Sequence, residues 1–152
     1  MKGLPATALL FPLIIQAPPR PQHEVVRTIV GIDRDQSALI FAGDMPEGWM
    51  TRLMRGNFDN LAAGAAEAAR QANSHFPDHA AGDEVSLLVS CIGRRVLMGQ
   101  RITEELEAAA REMRPMTRVG FFSYGEISPH AVSGCCELHN QTMTVTTLSE
   151  AA

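Results

Sequence analysis

The sequence predicts an α+β fold in which a largely antiparallel, mixed β-sheet is covered on one face by two principal helices. Short runs rich in β-branched residues alternate with clusters of turn-forming residues, which indicates strands joined by hairpin-like links. Two longer segments instead repeat apolar residues at helical spacing. With 152 residues, 45% of them hydrophobic, the chain has the length and composition of one globular domain, which we expect to span residues 3–150.

The first half of the chain is expected to form four strands. They are predicted at residues 8–15, 25–32, 38–42 and 50–54. The second and third should form a hairpin around the polar turn 33–37, while the prolines of the 16–22 loop cannot enter a central ladder. A sheet therefore begins near the N-terminus.

The first helix is predicted to begin after Asn57, a residue suited to capping a helix, and to run to about Ser74. Its apolar face consists mostly of alanine, so the helix can lie close to a sheet. The residues expected on that face are Phe58, Leu61, Ala65, Ala68 or Ala69, Ala72 and Phe76.

A buried strand at 85–92 is predicted next, followed by a short helical turn that ends near Gly99. The second helix should open at Thr103 and stop at Pro115. Its core-facing residues are expected to be Leu106, Ala109 or Ala110, and Met113. Two last strands, at about 118–126 and 135–148, are expected to pair as a hairpin and close the domain.

Composition excludes several functional classes. The net charge of −4 and the scattered arginines argue against a nucleic-acid surface. Three cysteines, two of them adjacent, cannot form an even disulfide framework, so we expect reduced thiols in a cytoplasmic protein. The apolar run 9–15 is too short to cross a bilayer, so no membrane partner is expected.

Cys91 and Arg94 are the first candidates for site chemistry. Cys91 ends the buried strand and is either a packed thiol, a contact for a small anionic ligand, or a nucleophile. Arg94 follows the strand, where a guanidinium is suited to bidentate binding of a carboxylate or phosphate. The alternative for Arg94 is a surface ion pair with a helix carboxylate.

The C-terminal third carries the strongest candidate site. Tyr124 and Glu126 end one predicted strand, and Asn140 and Gln141 lie in the middle of the next, where polar amides are unusual. Hairpin pairing would bring them together with the donors and acceptors that a small polar ligand requires. The alternative is a buried polar network that fixes strand register. His139 is either part of this site or a hydrogen-bonded core histidine.

No catalytic or metal-binding motif can be assembled, so we expect a protein that is not an enzyme and has no cofactor. The best enzymatic alternative would pair Cys91 as nucleophile with His139 as base. A metal site is not expected at His130, Cys135, Cys136 and His139, because adjacent cysteines in a strand point to opposite faces.

Several segments together resemble the FIST C-terminal domain, a sensory module of signal-transduction proteins. The most specific are Tyr124-Gly-Glu126 and Leu138-His-Asn-Gln-Thr142, and the turn Gly43-Asp-Met-Pro-Glu-Gly48 is less so. Residues 3–13, 27–33, 52–59 and 90–94 follow in the family's order, so the resemblance covers most of the chain. The sequence departs from the family in one respect. Members usually carry a separate FIST N-terminal domain and additional residues before the first matched strand.

The resemblance implies a domain that binds a small polar metabolite, such as an amino acid, and signals to a partner. The residues expected to bind the ligand are Arg94, Tyr124, Glu126, His139, Asn140, Gln141 and Cys91. The expected partner is a signalling protein or a separate FIST N-terminal domain. The alternative is an interaction module without a ligand. Since the surface facing an N-terminal domain would be uncovered, we also expect a homodimer, formed through the exposed edge or apolar side of the 9–15 strand.

Overall fold

The computed structural model describes residues 6–19, 23–74 and 83–150. Short 3₁₀ helices cover Ala6–Leu10 and Gly99–Arg101. The strands are β1 Leu13–Gln16, β2 Glu24–Arg27, β3 Ile29–Asp33, β4 Ala38–Phe41, β5 Met50–Leu53, β6 Glu84–Cys91, β7 Thr117–Ser123, β8 Glu126–Pro129, β9 Cys136–His139 and β10 Met143–Ser149. The helices are α1 Phe58–Ser74, α2 Ile92–Met98 and α3 Ile102–Arg111.

The strands of the described part form several small sheets. One has the order β2-β1-β5 and another β10-β6-β7, and β3-β4 and β8-β9 are two-stranded. Every pairing is antiparallel except that of β6 with β7. The predicted α+β class, with a mostly antiparallel arrangement and two principal helices, is confirmed.

The core lies where α1 and α3 pack against each other and against the β10-β6-β7 sheet. Its buried cluster consists of Ala65, Ala69, Leu88, Ala109 and Met143. Alternation along β6 turns Leu88 towards the helices and its neighbours Leu87 and Val89 to the opposite face. Alanine on both helices lets the helices and the sheet approach closely.

Several predicted elements agree with the structure. The Asn57 side chain caps α1, because its Oδ1 accepts a hydrogen bond from the backbone N–H of Asp59 at 2.9 Å. The β3-β4 hairpin, β5, β6 and the short helix after β6 also lie where expected. Phe76, predicted on the apolar face of α1, lies outside the described residues.

The first predicted strand was wrong in extent and environment. Ala6–Leu10 forms a 3₁₀ helix, and the strand begins only after Pro12. β1 is the central strand of its sheet, paired with β2 and β5, and Ile15 is 1% exposed. It therefore offers no free edge for the association expected at 9–15.

Three longer predicted strands are each divided in two. The 25–32 strand breaks at Thr28, the 118–126 strand breaks at Tyr124 and Gly125, and the 135–148 strand breaks at 140–142. Consequently, the last two predicted strands form a hairpin only through β8 and β9. β7 and β10 do not pair with each other but flank β6 on its two sides.

The buried side of α3 also differs from the prediction. Leu106, expected in the core, is 45% exposed, whereas Glu105 is fully buried. Ala109 is buried, as expected. The helix is rotated in this way because Glu105 has a buried cationic partner, described below.

Candidate functional site

A cleft of about 330 Å³ lies between α1 and the turn that joins β9 to β10. Its rim carries polar side chains, and its walls are partly apolar. The lining residues are Pro12, Val26, Met54, Arg55, Gly56, Asn57, Asn60, Leu61, Gly64, Arg94, Gln141, Thr142 and Met143. A second hollow of about 570 Å³ shares Arg55, Gly56, Asn57 and Asn60 with it, so the two adjoin around the beginning of α1.

Arg94 forms the buried end of a polar network beside this cleft. Its Nε donates to Glu105 Oε2 at 2.6 Å, and both side chains are almost completely buried. Its terminal nitrogens donate to the carbonyl oxygens of Gln141 and Leu61. The second carboxylate oxygen of Glu105 accepts a hydrogen bond from Ser90 Oγ at 2.6 Å. One N–H group on each terminal nitrogen of Arg94 is left over by these bonds.

The ion pair with a helix carboxylate was one of the two interpretations of Arg94, but it is buried and not at the surface. Sequence reasoning missed Glu105, whose charge suggested an exposed position. The available signal was its spacing, since Ile102, Glu105 and Ala109 recur on one helical face. Asn60 and Arg55 of the cleft were also missed.

Gln141 adopts an unusual backbone conformation at the wall of the cleft. Its φ is 54°, in the left-handed region that non-glycine residues rarely occupy. Its Nε2 donates to the carbonyl oxygen of Leu9 at 3.0 Å, and its own carbonyl accepts from Arg94. These contacts hold the residue in place. Backbone strain of this kind is concentrated at functional sites in proteins.

Glu126 belongs to a second polar cluster, which is closed, and Asn140 is buried directly after the strand that pairs with β8. Glu126 is 2% exposed, and its two carboxylate oxygens accept hydrogen bonds from Ser123 Oγ at 2.6 Å and Thr142 Oγ1 at 2.8 Å. Asn140 is 1% exposed, and its Oδ1 accepts from the backbone N–H of Thr28. The pairing of β8 with β9 brings Glu126 opposite His139, so the predicted meeting of these segments does occur.

Cys91 lies beside this closed cluster. Burial raises the pKa of the Cys91 thiol above its ordinary value, and the nearby Glu126 carboxylate raises it further, although backbone N–H groups of Gly93 and Gln141 oppose the shift. A thiol with a raised pKa carries little thiolate at neutral pH. The surroundings of Cys91 are therefore the opposite of those that activate a nucleophile.

The remaining two predicted site residues lie apart from the cleft. Tyr124 is 89% exposed in the break between β7 and β8. His139 is partly buried, and its Nε2 donates to the carbonyl oxygen of Ser128 at 3.2 Å, so it behaves as a hydrogen-bonded structural histidine. Of the seven predicted residues, the structure brings Arg94 and Gln141 to the cleft.

Potential metal ligands converge at His23, His130 and Glu137, whose ligand atoms lie within 4.8 Å of one another. Both ring nitrogens of His130 are already used, however. Its Nε2 donates to the carbonyl oxygen of Glu24, and its Nδ1 accepts from the backbone N–H of Val132. A metal ligand needs a free nitrogen lone pair. We therefore interpret the cluster as structural, with His23 hydrogen-bonded to Glu137 and stacked on His130.

These features define the class of protein. It is an α+β domain with a polar-rimmed cleft at the beginning of a helix and a separate, closed polar cluster. The chain matches the FIST C domain family over residues 1–129 and belongs to this family. FIST C domains are sensory signal-transduction domains. The segment 138–142, expected to be among the most specific, lies beyond the matched range.

No curated protein and no solved structure matches the chain. Within the described residues, no helix has the length and apolar character needed to cross a membrane.

Proposed function

We propose that this chain is a cytoplasmic sensory domain that binds a small polar metabolite, such as an amino acid or organic acid, in the cleft beside α1. The observation that carries the proposal is the strained Gln141, held at the cleft wall next to the buried Arg94. Proteins retain such strain where the surrounding structure and function require it.

The cleft offers chemistry that suits an anionic or amide-bearing ligand. Asn57 and Asn60 present amides near the helix N-terminus, and the exposed Arg55 adds a positive charge at the rim. Arg94 lines the same cleft. Pro12, Val26 and Met54 provide an apolar wall, as is usual in small-molecule sites.

A ligand screen with a blocked variant tests this assignment. Gly64 lines the cleft, and a Cβ added there meets no atom within 4 Å, so the first atom of a side chain fits at this position without a clash. We expect amino acids or organic acids to raise the melting temperature of the wild-type chain. Gly64→Leu should abolish that rise while making the free protein more stable by about 0.5–1 kcal/mol, because leucine favours helix over glycine.

The matched control is Ala63→Leu, which changes an exposed neighbour on α1 outside the cleft lining. It should leave the ligand-induced shift unchanged. A ligand that stabilises Gly64→Leu as strongly as the wild type would contradict the proposed site.

We further infer that the domain acts by binding and has no catalytic activity of its own. The raised pKa of Cys91 and the hydrogen bond of His139 to a carbonyl both weigh against the Cys91–His139 alternative. A signalling protein or a separate FIST N-terminal domain would then receive the signal. The free edge of β7 favours a role in protein association as a second function.

A further inference from the structure

Within the described residues, β7 is an edge strand that no other element pairs with on its outer side. It ends the β10-β6-β7 sheet, and every residue from Thr117 to Phe122 is exposed. Among the described elements, β7 pairs with β6, contacts α2 at fewer positions and bonds to α3 through the Arg118 side chain. Its outer backbone N–H and C=O groups are therefore available to another strand. Natural proteins normally protect such an edge or use it for association.

Both faces of β7 carry apolar side chains. Val119 and Phe121 lie on the face that points away from α1 and α3, and they are 51% and 58% exposed. Phe122 lies on the helical face, beside a groove of about 420 Å³ between β7 and α3. Arg118 and Glu107 line the same groove. Exposed apolar side chains on a free edge are typical of an interface.

We propose that β7 pairs with β7 of a second copy of this chain, antiparallel, around a two-fold axis at Gly120. In this register Val119 lies opposite Phe121 of the second copy, and Arg118 lies opposite Phe122. Each pair occurs twice because of the symmetry. Aromatic residues opposite β-branched ones are favourable cross-strand pairs. Gly120 places no side chain at the axis, which allows the two strands and their helices to approach.

Charge complementarity supports a second copy of the chain as the partner that pairs with β7. Arg118 Nη1 donates to the carbonyl oxygen of Ala110, so the last turn of α3 lies beside the first residues of β7. Because both elements line the groove, the earlier residues of α3 extend along β7 towards Phe122. Glu107, almost one turn before Ala110, therefore lies towards the Phe122 end of the groove. Arg118 of the second copy, opposite Phe122, comes to the same end. Within the described part of the chain, neither Arg118 nor Glu107 has an ion-pair partner.

The association would join two three-stranded sheets into one continuous sheet with all helices on the same side. Two Arg118–Glu107 pairs between the copies would then fix the register. Opposite charges steer partners and suppress wrong registers. β7 would therefore pair with β7 of a second copy in one register.

Sedimentation velocity over a range of concentrations tests the dimer directly. The wild-type chain should shift from monomer to dimer as its concentration rises. Phe121→Lys should keep it monomeric, because a lysine on an edge strand opposes pairing. Leu148→Lys is the matched control, since Leu148 is 59% exposed on the same sheet face but belongs to β10 at the other edge. It should leave the dimer intact.

Charge reversal tests the register and remains informative if Phe121→Lys does not fold. Arg118→Glu and Glu107→Arg should each weaken dimerisation by about tenfold or more, because each brings like charges together. The double variant should recover the dimer. A wild-type chain that stays monomeric at all concentrations overturns the proposal. So does a dimer that survives Phe121→Lys, one that Leu148→Lys abolishes equally, or a double variant that fails to recover.

Discussion

The two buried polar clusters of this domain are made of similar groups but differ in what remains available to a ligand. Around Glu126, both carboxylate oxygens are satisfied by hydroxyl groups of Ser123 and Thr142. Around Arg94, N–H groups are left over beside a cleft of about 330 Å³. Burial and polarity are common to both clusters. Unused hydrogen-bonding capacity next to open space distinguishes the candidate site.

One turn contributes to both clusters. Thr142 donates to Glu126 of the closed cluster, and Asn140 accepts from the backbone of Thr28. Gln141, between them, turns its side chain towards Leu9 and its carbonyl towards Arg94. The left-handed conformation of Gln141 makes this division possible, because consecutive residues then face different parts of the molecule. The closed cluster thus anchors the turn from which the cleft wall is built.

The largest effect is expected when the ion pair of the open cluster is broken. Glu105→Ala leaves the Arg94 guanidinium buried without its carboxylate, which should lower the free energy of unfolding by about 3–5 kcal/mol. Chemical denaturation measures this loss. Glu104→Ala is the matched control, because the Arg101–Glu104 pair has a similar distance, 2.7 Å, but is exposed. It should cost far less. Equal losses from the two variants would contradict the role given to burial.

A smaller loss of stability is expected in the closed cluster. Glu126→Ala removes the acceptor of two hydrogen bonds, each worth about 0.5–1.5 kcal/mol, and should lower the free energy of unfolding by about 1–3 kcal/mol. Ser123→Ala removes only one of the two and should cost about half as much. If Glu126→Ala denatures at the same denaturant concentration as the wild type, the cluster is not the closed structural unit described above.

Cys91 of the wild-type protein should react slowly with a thiol reagent at neutral pH. Because burial raises the pKa of Cys91, its thiolate forms only at a pH above the ordinary range of a cysteine. Mass spectrometry after iodoacetamide treatment at neutral pH should therefore find Cys135 and Cys136 modified first, since both are exposed. Labelling of Cys91 should increase only as the pH rises. Rapid labelling of Cys91 at neutral pH would favour the enzymatic alternative.

The sequence predicted local elements well where the signal is local. The Asn57 cap and the alanine face of α1 are properties of a few neighbouring residues, and both are present in the structure. The breaks in the long strands were not predicted, because strand-forming residues lie on both sides of Thr28 and of residues 140–142. A positive φ at a glutamine cannot be recognised from the amino-acid composition of the segment.

The predicted site residues lie in different environments in the structure. Arg94 and Gln141 were chosen for their chemistry, and they line the cleft. Glu126 was chosen for the same reason but lies in the closed cluster, since only the pairing of β8 with β9 and the position of Thr142 decide its partners. Glu105 was missed because its cationic partner comes from another helix.

We expect the ligand to bind in the cleft and not in the closed cluster. Isothermal titration calorimetry of a ligand found by the thermal-shift screen, with wild type, Gly64→Leu and Ser123→Ala, compares the two regions directly. We predict that Ser123→Ala binds with nearly wild-type affinity and that Gly64→Leu shows no binding heat. Unchanged binding by Gly64→Leu together with lost binding by folded Ser123→Ala would contradict the claim and assign the ligand to the Glu126 cluster.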